Sequence, residues 1–499
     1  MMVINSLTVQ RRKNNFRLFF IFRWVVISAL LVISAFGVES VFADGPEDLS
    51  KSPNQPEASK ELSGAAICAV RREVFVPSPQ PGLSPVVGVQ YLGAGLRRRE
   101  IRGQQGKSDL AEKMQARFSE DNGRTWTPFV PLETGADSLR QGQNSREDLS
   151  FAVNFDPFSH RTIEMIFQRI FLGEPSEILK QYWKGEKKFY DHMLCRVSPD
   201  DGRTWTEPRQ LVFERGAAFD PNDWANPAFL HSNEMYGSYD ITLLRNGQIA
   251  YPAAVRVPYQ DDAEDRKVSA NVPKYAAPVP GYVGGVSCFL GKWNQRKNQY
   301  DWTRSKPLFV PRRVSTRGLS EPVIAELKDG RLLLEMRGSN AGLDPAQYPG
   351  RRWMSVSRNG GKKWSPVTDL RYDTGEQFYA PSTLAKFIRS RKTGKLYWIG
   401  NISREPAKGN LPRYPLYIAE VDEKIPALKK STLTVIDDRS PQDTKAVQFS
   451  NFSLLENRET LDLEIYLSRF GEKPDHVFSA NAYKYTLTFP ARSKLRPTL

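Results

Sequence analysis

From residue 64 onward the sequence predicts an all-β chain, and three observations carry that prediction. No stretch repeats apolar residues at the helical period over three turns. Short runs rich in Val, Ile, Tyr, Phe and Thr alternate instead with clusters of Gly, Pro, Asn and Asp, at 66–76, 86–92, 241–254, 323–337, 395–402 and 461–469. Third, one eight-residue pattern recurs: Ser119-Glu-Asp-Asn-Gly-Arg-Thr-Trp126, Ser198-Pro-Asp-Asp-Gly-Arg-Thr-Trp205 and, degenerately, Ser357-Arg-Asn-Gly-Gly-Lys-Lys-Trp364. Its chemistry is local. Ser and Asp side chains bond turn amides, Gly takes a positive φ, and Trp folds its ring under the loop, so each copy predicts a self-stabilised hairpin tip.

The N-terminal segment stands apart. Arg11, Arg12, Lys13 and Arg17 precede an apolar core over 24–38, and Val41-Phe-Ala43 offers small residues for cleavage after Ala43. That order predicts a secretory signal over 1–43 and a secreted or periplasmic product. The alternative is an uncleaved N-terminal anchor, since 18–38 is long enough to span a bilayer, although Arg23 interrupts it. With the signal removed, no stable membrane insertion is expected. Residues 44–63 are polar, Pro-containing and acidic, and read as a disordered leader. Order is expected over 64–492.

The whole chain carries a formal charge of +15, which falls to +11 when 1–43 is removed. A basic exported protein favours anionic partners such as acidic glycans. No Lys/Arg run is interleaved with aromatics as in a nucleic-acid module, so nucleic acid is excluded as a partner. Cys68, Cys195 and Cys288 allow at most one disulfide, and with four His in the chain neither a metal site nor a cofactor is expected.

Two hairpins stand out downstream. Ser238–Pro252 turns at Asn246-Gly247, and 321–337 turns at Lys328-Asp329-Gly330. Glu321 opens the second hairpin and Arg337 closes it, so folding brings a carboxylate and a guanidinium together.

The recurring pattern resembles the Asp-box (BNR repeat), and the hairpin E-x5-L-x-D-G-R-L-x-L-x-x-R is similar to one in the sialidase (neuraminidase) superfamily. The resemblance covers roughly 65–490. It implies a six-bladed β-propeller, with Asp-box hairpins near 119, 198 and 357 and a degenerate one around 293–302. Two blades without boxes would fall at 379–430 and 431–490, and 483–489 would pair with 66–76 to close the ring. It also implies a retaining exo-glycosidase that cleaves a terminal acidic sugar through a tyrosine nucleophile. On that resemblance Glu321 is the base, Arg337 a carboxylate clamp, and Arg351 or Arg352 another. Tyr379 would be the nucleophile and Asp109 the acid/base, with Asp148 as an alternative. The sequence departs from the family at two places. Pro381 holds the usual tyrosine position, two residues beyond Tyr379, and Phe75 stands where a first arginine is expected, with Arg71 or Arg72 as substitutes. A glycan-binding propeller, or a hydrolase of another glycan, is therefore the alternative function. The insert over 257–280 is expected to overhang the site.

Overall fold

Turn chemistry sets where strands begin and end. In the computed structural model, residues 66–135, 139–217 and 219–490 are described. The expected signal with its cleavage after Ala43, the alternative anchor and the leader 44–63 lie outside the described residues. No helix among the described residues is long and apolar enough to cross a membrane.

Six antiparallel sheets form the blades of a β-propeller. Blade one comprises Ser84–Tyr91, Arg98–Lys107, Leu110–Ser119 and Val130–Pro131. Blade two comprises Leu139–Gln141, Asn144–Asp156, Arg161–Phe171, Phe189–Ser198 and Arg209–Gln210. Blade three contains Met235–Gly237, Thr242–Leu243, Ile249–Pro258, Tyr282–Asn294 and Gln299–Arg304, and blade four Ser320–Glu326, Leu332–Arg337, Arg352–Ser357 and Thr368–Asp369. Blade five runs from Lys386–Arg389 through Leu396–Asn401, Leu416–Asp422 and Ala427–Leu428, with Thr434–Asp437 also on Leu416–Asp422. Blade five thus reaches past residue 430, where the sequence put its boundary. Blade six joins Ser453–Glu456, Leu463–Ser468 and Ala482–Thr488 to the early strand Ala69–Val76. That last pairing, Ala69 opposite Thr488 through Val76 opposite Ala482, closes the ring as expected.

Blades pack face to face, which explains near-continuous apolar strands such as Leu332-Leu-Leu-Glu-Met and Leu416-Tyr-Ile-Ala: both faces are covered. Apolar clusters fill the junctions. Phe167, Tyr251 and Phe289 lie between blades two and three, and Leu290 and Leu334 between three and four. Trp398 and Tyr417 join four to five, Ile418 and Leu487 join five to six, and Val89 with Tyr466 joins six to one. Each such side chain contributes about 2 kcal/mol by leaving water. Blades one and two are joined by charge: Arg99 of blade one donates at 2.6 Å to the buried Glu164 of blade two, which also accepts from Arg196 of its own blade at 2.6 Å.

The three repeated turns lie between the last two strands of blades one, two and four. In the first, the Ser119 hydroxyl accepts the Gly123 N–H at 2.8 Å, Asp121 accepts the Thr125 N–H at 2.9 Å, and Trp126 Nε1 donates to the Gly123 carbonyl at 3.0 Å. Gly123 has φ +88°. The turn at 357–364 repeats this scheme with Asn359 in place of Asp. At 293–302 the same connection exists in blade three, but Trp293 Nε1 donates to Gln295 rather than to a turn carbonyl. All three cysteines are free and buried.

Candidate active site at the mouth of the axial cavity

The hairpin that ends blade four's first strand carries the centre of the site. Leu327 N–H bonds the Arg331 carbonyl at 2.8 Å across the Asp329-Gly330 turn, and Ser320 pairs with Arg337 at the far end. Between Ser320 and Val323 the register shifts, and Glu321 adopts φ +39°. A bulge with a left-handed non-glycine residue re-aims a side chain at an energetic cost, the kind of strain that collects at functional sites. Here it turns Glu321 toward Arg337, whose Nη1 donates to Oε1, while Arg337 Nη2 donates to Asn410 at 2.9 Å. Glu321 Oε2 is buried and accepts no hydrogen bond. A carboxylate oxygen left without a donor costs free energy, so this atom is poised for a proton or a hydroxyl.

Glu321 and Arg337 line a cleft of about 350 Å³. Five cations line it: Arg169, Lys187, Arg317, Arg337 and Arg413, against three carboxylates, Asp109, Asp191 and Glu321. Arg169 and Asp191 are opposed on neighbouring strands of blade two and pair bidentately at 2.7 and 2.9 Å. Arg413 donates to Gln448 at 3.1 Å, and Lys187 pairs with Glu234. Asp109 enters from the blade-one turn, at φ +59°, with the Ser108 hydroxyl 3.1 Å from its Oδ2. Tyr236 and Tyr239 share a hydrogen bond between their hydroxyls in the wall. Burial and then, for Tyr239, the Glu321 charge raise its phenol above the usual range.

Beneath the cleft, and sharing Asp109, Arg169, Tyr236 and Tyr239 with it, lies a cavity of about 1360 Å³ between the innermost strands. Aliphatic side chains such as Val87, Leu149, Ile166 and Leu243 line much of it. Charged side chains line it as well, among them Arg99, Glu164, Arg389 and Arg458. Glu147, opposite Arg169 in register, lines this cavity with Oε2 unpaired. Burial pushes its carboxyl up to about 8, against the opposing pull of Arg169. Asp148 also lines the cavity, bound to Gln168 and Arg146 at 3.0 Å each.

The structure brings Glu321, Arg337 and Asp109 together and sets the other expected residues elsewhere. Arg352 is fully buried: it pairs with Glu335 at 3.2 Å, donates to Thr383 at 2.6 Å, and does not line the cleft. Arg351 donates to the Phe378 carbonyl at 2.7 Å and stacks its guanidinium 5.1 Å from the Tyr379 ring centre. Neither Arg351 nor Tyr379 lines the cleft. The reason is backbone: 377–383 is not a continuous strand, and the Tyr379 carbonyl is fixed to Ser403 N–H at 3.0 Å. The ring accordingly packs on Arg351. Phe75, in the place of the expected first arginine, packs edge-on against Tyr466. Arg71 faces Glu73 and Arg72 binds Asp437, so neither substitutes for it in the cleft.

Sequence reasoning did not find Arg169, Arg317, Arg413 and Tyr239. Two of them carried a signal: Tyr239 opens the hairpin Ser238–Pro252, and Arg317 stands four residues ahead of Glu321.

A crystal structure of a protein of unknown function from Dyadobacter fermentans superposes with TM-score 0.51 at 13% identity, covering 84% of this chain and 99% of that one. The NanB sialidase of Streptococcus pneumoniae superposes with TM-score 0.50 at 11% identity, over 84% of this chain and 70% of NanB. The chain has a sialidase-like fold. No protein-family description and no curated protein sequence matches it. At such identities the sialidase-like propeller establishes architecture, and the side chains of the cleft must argue the chemistry.

Proposed function

We propose that the protein is a retaining glycoside hydrolase that removes a terminal acidic sugar from a glycan, and that it acts outside the cytoplasm, as the basic-then-apolar segment 1–43 indicates. The observation that carries this reading is the cleft itself: cations outnumber carboxylates five to three around a glutamate with an unsatisfied oxygen. Planar guanidinium groups suit a sugar carboxylate, with Arg337, Arg317 and Arg413 as the clamp.

A neutral phenol is not repelled by an anionic substrate, as a carboxylate nucleophile would be. Tyr239, in the wall of the cleft and under the charge of Glu321, takes the role that sequence spacing gave to Tyr379. Its oxygen attacks the anomeric carbon as Glu321 accepts the phenolic proton. Asp109 gives a proton to the departing glycosidic oxygen. Water then displaces the tyrosine, returning one proton to Asp109, and the phenolate recovers its proton from Glu321.

The test is fluorophore release from an aryl α-sialoside. Wild-type protein should turn over, and Glu321→Gln and Tyr239→Phe should each lose at least about a hundredfold in kcat. Turnover undiminished in Tyr239→Phe would remove that residue from the mechanism. The apolar Phe75–Tyr466 contact at the expected first-arginine position favours a second reading, a glycan-binding propeller. Wild-type protein that binds the sialoside without cleaving it would select this reading.

A further inference from the structure

The three repeated turns share one scheme of hydrogen bonds but not one charge. The first two each carry two acids against one base. The turn at 357–364 has three bases, Arg358, Lys362 and Lys363, and no acid, because Arg358-Asn359 stands where the first turn has Glu120-Asp121 and the second Pro199-Asp200. Neighbouring blades treat the turns differently too. Arg124 of the first turn pairs with Glu459 of blade six at 2.6 Å, and Arg203 of the second with Glu120 of blade one at 3.1 Å. Arg358, Lys362 and Lys363 are exposed, and none pairs with a carboxylate among the described residues. Like charges held on one short tip repel one another, and nothing in the chain offsets these.

The third turn borders a groove of about 410 Å³, lined by Arg331, Arg358 and Lys363 and by no carboxylate. Its other wall is Pro426, in the turn that joins Leu416–Asp422 to Ala427–Leu428 of blade five. Bonds fix that turn. Asp422 accepts the N–H groups of Lys424 and Ile425 at 2.8 and 3.1 Å, Glu423 accepts the Lys328 N–H at 2.8 Å, and Arg331 donates to the Glu423 carbonyl at 2.6 Å. Lys424 and Ile425 are therefore held outward. Ile425 is 76% exposed, more than any other large apolar side chain among the described residues. An isolated exposed isoleucine is ordinary. One fixed beside four unpaired cations, Lys424 being the fourth, joins the two chemistries of a bilayer surface: an apolar tip for the acyl boundary and bases for anionic headgroups. A soluble polyanion would use the cations and leave Ile425 in water.

We infer that the blade-four turn 357–364 and the blade-five turn 422–426 together form a docking surface for an anionic lipid bilayer. The contact is peripheral and reversible, since four cations and one apolar side chain carry it. It stands apart from the chemistry of the cleft and holds whether or not a sialoside is cleaved.

The experiment is co-sedimentation of full-length protein with vesicles of phosphatidylcholine, alone or mixed with anionic phosphatidylglycerol. Wild-type protein should bind the anionic vesicles at least about tenfold more tightly, and raising the salt should erode that gain. Whatever the apolar segment 18–38 contributes is common to both vesicles and drops out of the comparison. The triple variant Arg358→Gln, Lys362→Gln, Lys363→Gln should lose most of the gain, and Ile425→Ser should weaken binding by about fivefold. A control of equal charge, Arg124→Gln, Arg203→Gln, Arg296→Gln, alters the corresponding tips of blades one, two and three and should bind within about twofold of wild type. Matching melting curves would show that all four proteins are folded. Equal losses in the two triple variants, Ile425→Ser binding like wild type, or no preference of wild type for anionic vesicles would each overturn the proposal. Retention of wild type on immobilised heparin without vesicle binding would do so by assigning the cations to a soluble polyanion.

Discussion

Glu147 shows how one buried side chain can shape the pH response of the protein. Its carboxyl faces Arg169, Asp191, Asp109 and Asp148, and burial dominates, pushing it up to about 8. The folded state therefore holds this proton where the unfolded chain, with a value near ~4.3, releases it. Stability from this group is fully present below the unfolded value and is lost as pH rises through about 8. Glu147→Gln removes the titration, so the variant should gain on wild type by about 1.4 kcal/mol per pH unit within that window. Urea unfolding of both proteins at pH 5, 6, 7 and 8 measures it, and parallel curves would refute the assignment. At this scale the sequence was readable only where chemistry is local. Glu321 and Arg337 end one hairpin, so pairing follows from the turn. Arg351, Arg352 and Tyr379 were placed by distance along the chain, and that does not fix which way a side chain turns once strand geometry stops. Arg352 went to Glu335 instead, and Arg351 to Tyr379.

Turns and hairpins are the scale at which sequence spoke most plainly, because their bonds close within a few residues. Ser198, Asp200, Gly202 and Thr204 satisfy one another without help from the rest of the chain: Asp200 accepts both the Thr204 N–H and hydroxyl at 2.7 Å. Those donors hold the Asp200 carboxylate down to about 2. A depressed carboxylate contributes its stability above the unfolded value and loses it as pH falls through the folded one. Asp200→Asn keeps one acceptor oxygen but not the charge. Its melting temperature should trail wild type at pH 5 and converge with it as pH approaches 2. A constant gap down to pH 2 would mean that shape rather than charge holds the turn. The inserted helix Pro175–Trp183 was missed for a complementary reason: nine residues are too few to display a period, and it forms by packing on blades one and two.

The ring as a whole depends on a pairing between the two ends of the described chain. Blade six lacks an outer strand of its own, and Ala69–Val76 supplies it from the other end. This closure was expected from the resemblance to a six-bladed propeller, which pairs the β-rich runs 66–76 and 483–489. The bond is more than a ladder: Cys68 enters the apolar cluster with Leu487 and Phe489, and Arg72 reaches Asp437 of blade five at 3.0 Å. Removing residues 66–76 should leave Ala482–Thr488 as an open edge, which pairs with whatever strand it meets. The shortened protein should melt at a lower temperature and elute as dimers or larger species in size-exclusion chromatography. Val74→Pro in the full chain should reproduce this in milder form, because Val74 is paired with Tyr483 and proline cannot donate to a ladder. The cleft draws Asp109, Arg169, Glu321 and Arg413 from four different blades or their connections, so opening the ring should also abolish sialoside turnover. A shortened chain that stays monomeric, melts as before and keeps its activity would mean that the propeller stands without its closing strand.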